Sequence, residues 1–204
     1  VIPVNAPGFV GPKNLGNRIA GEVLLEHVIG TGDLPEGDSP DSTASLHFAR
    51  KSGTVPYSEE GLINLIGEYN IAGDLWLVEP VLKDAGIRIL SRITGDAAFE
   101  EITYAHRAKL NVVVCSRALI NIAREMERKY GIPYIEVSFF GKTEMSKALK
   151  NISSKLGVRS LELSVKIQDV VAREEEKLKK RLKKYGHLRG KRAVLYTGGV
   201  KSWS

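Results

Sequence analysis

The chain of 204 residues contains one cysteine, and its surroundings suit thiolate chemistry. Cys115 directly follows the apolar run Val112-Val113-Val114 and precedes Ser116, a good helix N-cap, and then Arg117. That order puts a thiol at the start of a helix, at the mouth of a sheet. The helix dipole and the Arg117 guanidinium would both favour the thiolate, the form that binds metal or attacks an electrophile. The bland alternative is a buried, inert cysteine, and the local sequence leaves both readings open. Nucleophilic attack would need a base. The nearest histidine in sequence, His106, lies before the strand, at its opposite end.

Other chemical patterns fail on inspection. Gly141-Lys142-Thr143 resembles the end of a P-loop, but Glu136 stands where the first glycine is required, so the phosphate cradle lacks its first turn. Thr143 reads more simply as the N-cap of a helix. The glycines at 8, 11 and 16 do not space as a dinucleotide fingerprint, and no HExxH, CxxC or GxSxG occurs. His27, His47, His106 and His187 are scattered, so no short motif encloses a metal. Tyr69 follows a strand and reads as packing or as pocket wall.

The elements that must position Cys115 follow from periodicity. Residues 2–4 are expected to form a short strand ending at Pro7-Gly8. Ile19, Val23, Leu24, His27 and Val28 recur at helical spacing over 13–29, with Gly30 as a stop. Residues 31–60 read as a long loop. Strands are expected at 62–66, 87–90, 110–114 and 134–137. Helices are expected at 73–85 (started, kinked or broken at Pro80), 98–107, 117–130 (closed by Gly131), 143–156 and 160–185, and a last strand at 193–196. Apolar strands alternating with helices predict an α/β fold, a Rossmann-like, doubly wound, mostly parallel sheet with helices on both faces. In such sheets ligands bind beyond the carboxyl ends of the strands, which is where Cys115 falls.

Composition is that of an ordinary globular chain, with 43% hydrophobic and 26% charged residues, against overall disorder. A single cysteine excludes an intramolecular disulfide framework, and neither a membrane-length apolar run nor a signal peptide is seen, so a soluble, cytoplasmic setting is expected. The formal charge of +6 raises nucleic acid as a partner. Ten Lys or Arg lie in 173–192, but Glu174, Glu175 and Glu176 share the stretch, which reads as a solvated, charge-striped helix. No nucleic-acid or membrane partner is expected.

The chain begins at Val1 and ends just after the strand-turn pattern Ala193-Val194-Leu195-Tyr196-Thr197-Gly198-Gly199. The expectation is an internal segment of a longer protein. Residues 1–156 form a Rossmann-like middle domain, 157–190 a connecting charged helix, and 191–204 the first strand and turn of a following domain.

Four stretches make the sequence recognisable: GFVGPKNLGNRIAGEVLLEHVIG (8–30), LIGEYNIAGDLW (65–76), KLNVVVCSRALINIAREMERKYGIPYIEVSFFG (109–141) and GKRAVLYTGGVKSW (190–203). In this order they resemble the nitrogenase component 1 superfamily, and within it the α-type subunit of the cofactor-assembly scaffold. The resemblance covers most of the chain outside 31–60. It implies a biosynthetic scaffold rather than a catalyst. Such a scaffold forms an α2β2 complex with a NifN-type β subunit, receives an iron–sulfur precursor from NifB, and holds it while molybdenum and homocitrate are inserted with the nitrogenase iron protein. It then passes the iron–molybdenum cofactor to apo-nitrogenase. Cys115 matches the family's cysteine ligand to an end iron, and Arg117 an arginine lining the pocket. Tyr69 and Ile71 match pocket-wall residues, and Lys13 and Asn17 lie in the segment that approaches from the other side. An interface [4Fe–4S] cluster is implied for the whole complex, held by cysteines that this chain lacks.

The chief rival is the catalytic α subunit of nitrogenase. That subunit carries a histidine near the place of Asn17 and an aromatic residue where Ser116 stands, so the scaffold is favoured. An alternative-nitrogenase scaffold fits nearly as well. A protochlorophyllide reductase-like subunit fits less, given Cys115 and the GEYN stretch. The remaining alternative is a Rossmann-like redox protein with a reactive Cys115.

Overall fold

A computed structural model describes residues 1–5, 10–33, 62–67, 72–93, 95–114, 116–156 and 161–194. Its elements are α1 (Lys13–His27), β1 (Leu62–Ile66), α2 (Ala72–Asp84), β2 (Arg88–Ile93), α3 (Phe99–Thr103), β3 (Leu110–Val113), α4 (Ser116–Tyr130), β4 (Tyr134–Glu136), α5 (Lys142–Leu156) and α6 (Leu161–Lys183), with short 3₁₀ turns at Ala105–Arg107 and Gly186–Leu188. The four strands lie in the order β2-β1-β3-β4, and every ladder is parallel. The expected doubly wound α/β architecture is therefore present.

Strand alternation builds two cores. Ile63, Leu65, Leu110 and Val112 pack on one face against Leu82 of α2, Leu149 of α5 and Ile167 and Val170 of α6. Ile66, Ile93 and Val113 pack on the other face against Leu25 of α1 and Leu119, Ile122 and Met126 of α4. Most strand residues are apolar because both faces are covered. Across the second face runs a polar row. Asn64, Ser91 and Asn111 are fully buried on neighbouring strands, in register with one another. Asn64 Nδ2 donates to Asn111 Oδ1 and to the Ala105 carbonyl, each at 2.8 Å. This row separates the α1–α4 core from a smaller cluster of Leu62, Leu90, Tyr104 and Ala108. The β1–β2 register shifts at the same place, between Ile63 and Asn64, which leaves Leu90 as the extra residue of a bulge.

The structure departs from the sequence reading in several places. Residues 2–4 form no strand; they are exposed and have no ladder partner among the described residues. β2 runs on to Ile93, past the expected end at 90, because Ser91 and Arg92 are polar yet buried. The expected 98–107 helix is broken at Tyr104 (φ −103°) into α3 and a 3₁₀ turn. Thr143 is not an N-cap: it lies inside α5, and the turn before the helix is made by Gly141 at φ +79°. Ser116 is likewise the first residue of α4 rather than its cap. α2 runs through Pro80, which is exposed, so water can satisfy the carbonyl one turn earlier at exposed Trp76. Residues 193–194 are exposed and outside any strand. The rest of that expected strand, and the 34–60 part of the expected loop, lie outside the described residues.

The charged helix is only partly solvated. The first half of α6 contributes Ile167 and Val170 to the core, and Arg173 pairs with Asp84 of α2. Its far end exposes Leu182, and Tyr185 and Leu188 beyond it are exposed too. Among the described residues no helix is long and apolar enough to cross a membrane.

Candidate functional site

The chain leaves β1 towards β2 on one side and leaves β3 towards β4 on the other. Neighbouring strands whose connections diverge make a topological switch point, and the crevice beyond their carboxyl ends is the default ligand site of such a sheet. Here the ladder holds to the edge: Val114 N donates to the Ile66 carbonyl at 2.8 Å, and Val137 N to the Val113 carbonyl at 3.0 Å. Gly67 and Val114, both buried, thus end adjacent strands at the crevice. Tyr69, Ile71 and Cys115 lie outside the described residues, but Gly67 and Val114 are the last described residues before them. Arg117 belongs to the first turn of α4.

That first turn is set apart from the rest of its helix. Leu119 is non-helical (φ −129°, ψ 16°) and buried, so α4 bends one turn after it starts. The backbone beside Cys115 is therefore aimed separately from the remainder, which packs on the sheet.

α1 approaches from the other side and runs parallel to α4. Gly21 meets Ile122, the Leu25 carbonyl accepts from Lys129 Nζ at 3.2 Å, and the Ile29 carbonyl accepts from the Tyr130 hydroxyl at 2.8 Å. These contacts fix the direction: the far end of α1 meets the far end of α4, so the start of α1 lies beside the start of α4. Lys13 begins α1 and Asn17 stands one turn before Gly21. Asn17 Nδ2 is shielded from solvent and has no hydrogen-bond partner among the described residues. The amide is thus a buried donor near the first turn of α4.

On the α2 side of the same edge lies an apolar cavity of about 180 Å³, lined by Leu75, Val78, Val114, Phe139 and Met145 among others. Below it a buried ion-pair cluster straps the edge strand. Arg92 Nε and Nη2 donate to Glu79 Oε1 and Oε2 of α2 at 2.6 and 2.9 Å. Arg92 Nη1 donates to both carboxylate oxygens of Glu101 on α3, at 3.2 and 3.1 Å. Burial opposes the Arg92 charge, but the Glu79 hydrogen bond and the charges of Glu101 and Glu79 outweigh it and hold its pKa above the usual guanidinium range. Helices of both faces are thereby tied over one edge.

Sequence reasoning missed Arg92, Glu79 and Glu101, although an arginine inside the apolar run Ile89 to Ile93 was a usable signal. It also missed Gly21, whose role depends on what faces it. His106 lies as expected at the opposite end of β3, beside Tyr130 with ring centroids 5.5 Å apart, far from any part in the crevice. Among the described residues no three His, Cys, Asp or Glu side chains converge as a metal site.

Comparison with known proteins agrees with the fold. In Nostoc sp. (strain PCC 7120) the protein described as nitrogenase iron-molybdenum cofactor biosynthesis protein NifE is 55% identical over 205 residues, covering 100% of this chain. Proteins of the same description in Rippkaea orientalis and Klebsiella pneumoniae are 49% and 44% identical, again over 100% of the chain. The chain spans only 38%, 39% and 42% of those three relatives. Among solved structures, one described as nitrogenase Cp1 at pH 5 superposes with a TM-score of 0.72 at 29% identity, over 88% of this chain and 32% of that one. The family model for nitrogenase component 1 type oxidoreductases matches residues 1–204, and the chain belongs to that family.

Proposed function

We propose that this chain is part of a scaffold on which the nitrogenase iron–molybdenum cofactor is assembled. The observation that carries the reading is identity of 42–55%, along the whole chain, to proteins described as iron-molybdenum cofactor biosynthesis protein NifE. The cargo is an iron–sulfur precursor, held while molybdenum and homocitrate are inserted. The partners are a NifN-type β subunit, NifB as donor, the nitrogenase iron protein, and apo-nitrogenase as acceptor. The single cysteine of this chain cannot supply the thiolates of an interface [4Fe–4S] cluster, so that cluster belongs to other parts of the complex.

Chemically, iron of a sulfide cluster is soft and prefers thiolate, which assigns Cys115 as its protein ligand. Arg117 and Lys13 balance the negative charge of the cluster, aided by the first turn of α4. Asn17 supplies a hydrogen-bond donor, and Tyr69 and Ile71 form wall. One covalent tether with several weaker contacts suits cargo that must later leave. In domain organisation, 1–156 offers one wall of the pocket, 157–190 connects while packing Ile167 and Val170 of α6 into the same core, and 191–204 opens the next domain.

The test is cargo retention in the full-length complex. Cys115→Ala should lose precursor iron after anaerobic purification while subunit composition is kept. Arg117→Ala should lose less, because it removes charge and not a bond. Unchanged cluster iron in Cys115→Ala would refute the reading. The catalytic α-subunit alternative is disfavoured by Asn17 and Ser116, and dinitrogen reduction by the purified complex would revive it.

A further inference from the structure

Gly21 lies buried in the middle of α1, where glycine is the poorest choice short of proline for helix formation. Its backbone is ordinary helix, so no special torsion demands it. The demand comes from across the interface. A Cβ on Gly21 would lie 2.7 Å from Ile122 Cγ1, 3.0 Å from Ile122 Cδ1 and 3.3 Å from Asn121 Nδ2. Ile122 is fully buried in the α1–α4 core and branched at Cβ, so it cannot swing aside as a long flexible side chain would. Gly16, on the exposed side of α1, would by contrast meet nothing within 4 Å.

We propose that Gly21 is a positioning residue. By letting α1 touch α4 at Ile122, it sets the gap between the starts of the two helices, and so the reach of the Asn17 amide into the cargo crevice. This rests on the scaffold reading and names a determinant of that same site. A methyl group at 21 must push α1 away from α4 at the contact next to Asn17. Further along, the helices stay tied by Lys129 to the Leu25 carbonyl and by Tyr130 to the Ile29 carbonyl. With the far end held, the displacement falls on the end that carries Lys13 and Asn17.

The experiment uses the full-length complex and three variants: Gly21→Ala, Ile122→Ala, and the pair together. The readouts are precursor iron after anaerobic purification, the cluster's electron paramagnetic resonance signature, and the rate at which an iron chelator strips the cargo. Gly21→Ala should release cargo about ten- to a hundredfold faster, the equivalent of one lost hydrogen bond to a charged acceptor. The double variant, in which Ile122→Ala removes the two closest of the three atoms the new methyl would meet, should regain the parental signature and most of the parental rate. Helix propensity alone would favour alanine at 21, so a glycine without this close contact gives no loss, and a glycine that only packs the core lowers stability without changing the cluster's signature. Parental loading in Gly21→Ala overturns the proposal, as does a folded double variant that fails to recover. If Gly21→Ala does not assemble, the double variant decides on the same terms. Cys115→Ala serves as the separate control: normal loading there sinks the scaffold reading itself, whatever Gly21 does.

Discussion

Replacing Arg92 by methionine should loosen one edge of the sheet by about 3–5 kcal/mol, the usual effect of removing one partner from a buried ion pair. The figure rests on burial. Arg92 and Glu101 are each 5% exposed, and the Glu79 side chain is 24% exposed. Methionine fills similar volume, so cavity formation contributes little. What it leaves is two carboxylates, one of them almost wholly buried, with their shared cation gone. The Arg92 charge is present at every accessible pH: its pKa is raised, so its stabilisation would fade only as pH rises through that already high value. The effect should be local. Hydrogen exchange on the full-length protein should show backbone amides of β2, α3 and the second half of α2 losing about a hundredfold to several thousandfold of protection. β3 and α4 should change far less. Replacing Glu79 and Glu101 by glutamine and leucine in the same variant should restore most of the loss, since an apolar substitute for a buried ion cluster is often neutral. A loss under about 1 kcal/mol in Arg92→Met would refute the idea that the cluster clamps the edge.

Two smaller predictions concern polar groups. Ser91 Oγ is buried with no hydrogen-bond partner among the described residues, so Ser91→Ala should leave stability unchanged or slightly raised in denaturant titrations; a loss above about 1 kcal/mol would show that a buried water satisfies the hydroxyl. Glu174 is held below the ordinary carboxylate range by its hydrogen bond from Lys177, with burial opposing. A lowered folded pKa stabilises above the unfolded value and fades as pH falls through the folded one, so Glu174→Gln should destabilise at neutral pH by under about 1 kcal/mol. That difference should vanish in acid and shrink in salt.

The fold was legible because its strands are short apolar runs bounded by breakers. Gly30 and Gly131 end α1 and α4 at φ +97° and +71°, as their positions in sequence suggested. Polar residues inside strands hid the rest. Ser91 and Arg92 look like the end of a strand and are instead its buried second half: two carboxylates pair with Arg92, and the small Ser91 is enclosed beside Asn64. Asn64 and Asn111 carry no periodic signal that marks them as neighbours; only the β1–β3 register makes them a pair. The site divides in the same way. Its place at a switch point follows from strand order, which sequence periodicity does not supply, whereas the family resemblance picked out Cys115, Tyr69 and Asn17 without strand order. Gly21 was invisible to both, since its meaning lies in Ile122, 101 positions away.

A scaffold, as proposed above, has to combine firm walls with a weak grip, and on that reading the arrangement of this chain separates those demands. The walls belong to elements that packing cannot easily deform: a parallel sheet buried on both faces, an edge strand strapped by Arg92 to helices of each layer, and two helices in contact at a glycine. On the proposed reading, the grip belongs to chain that follows those elements in sequence, the stretches after β1 and β3 that bear Tyr69, Ile71 and Cys115. Loosening a wall and removing the tether should therefore fail differently. Arg92→Met should lower stability and blur the cluster signature, while much of the cargo stays bound through Cys115. Cys115→Ala should release cargo from a protein of parental stability. If Arg92→Met emptied the site as completely as Cys115→Ala while the chain stayed folded, wall and grip would be one structure, and sparse ligation would no longer account for release.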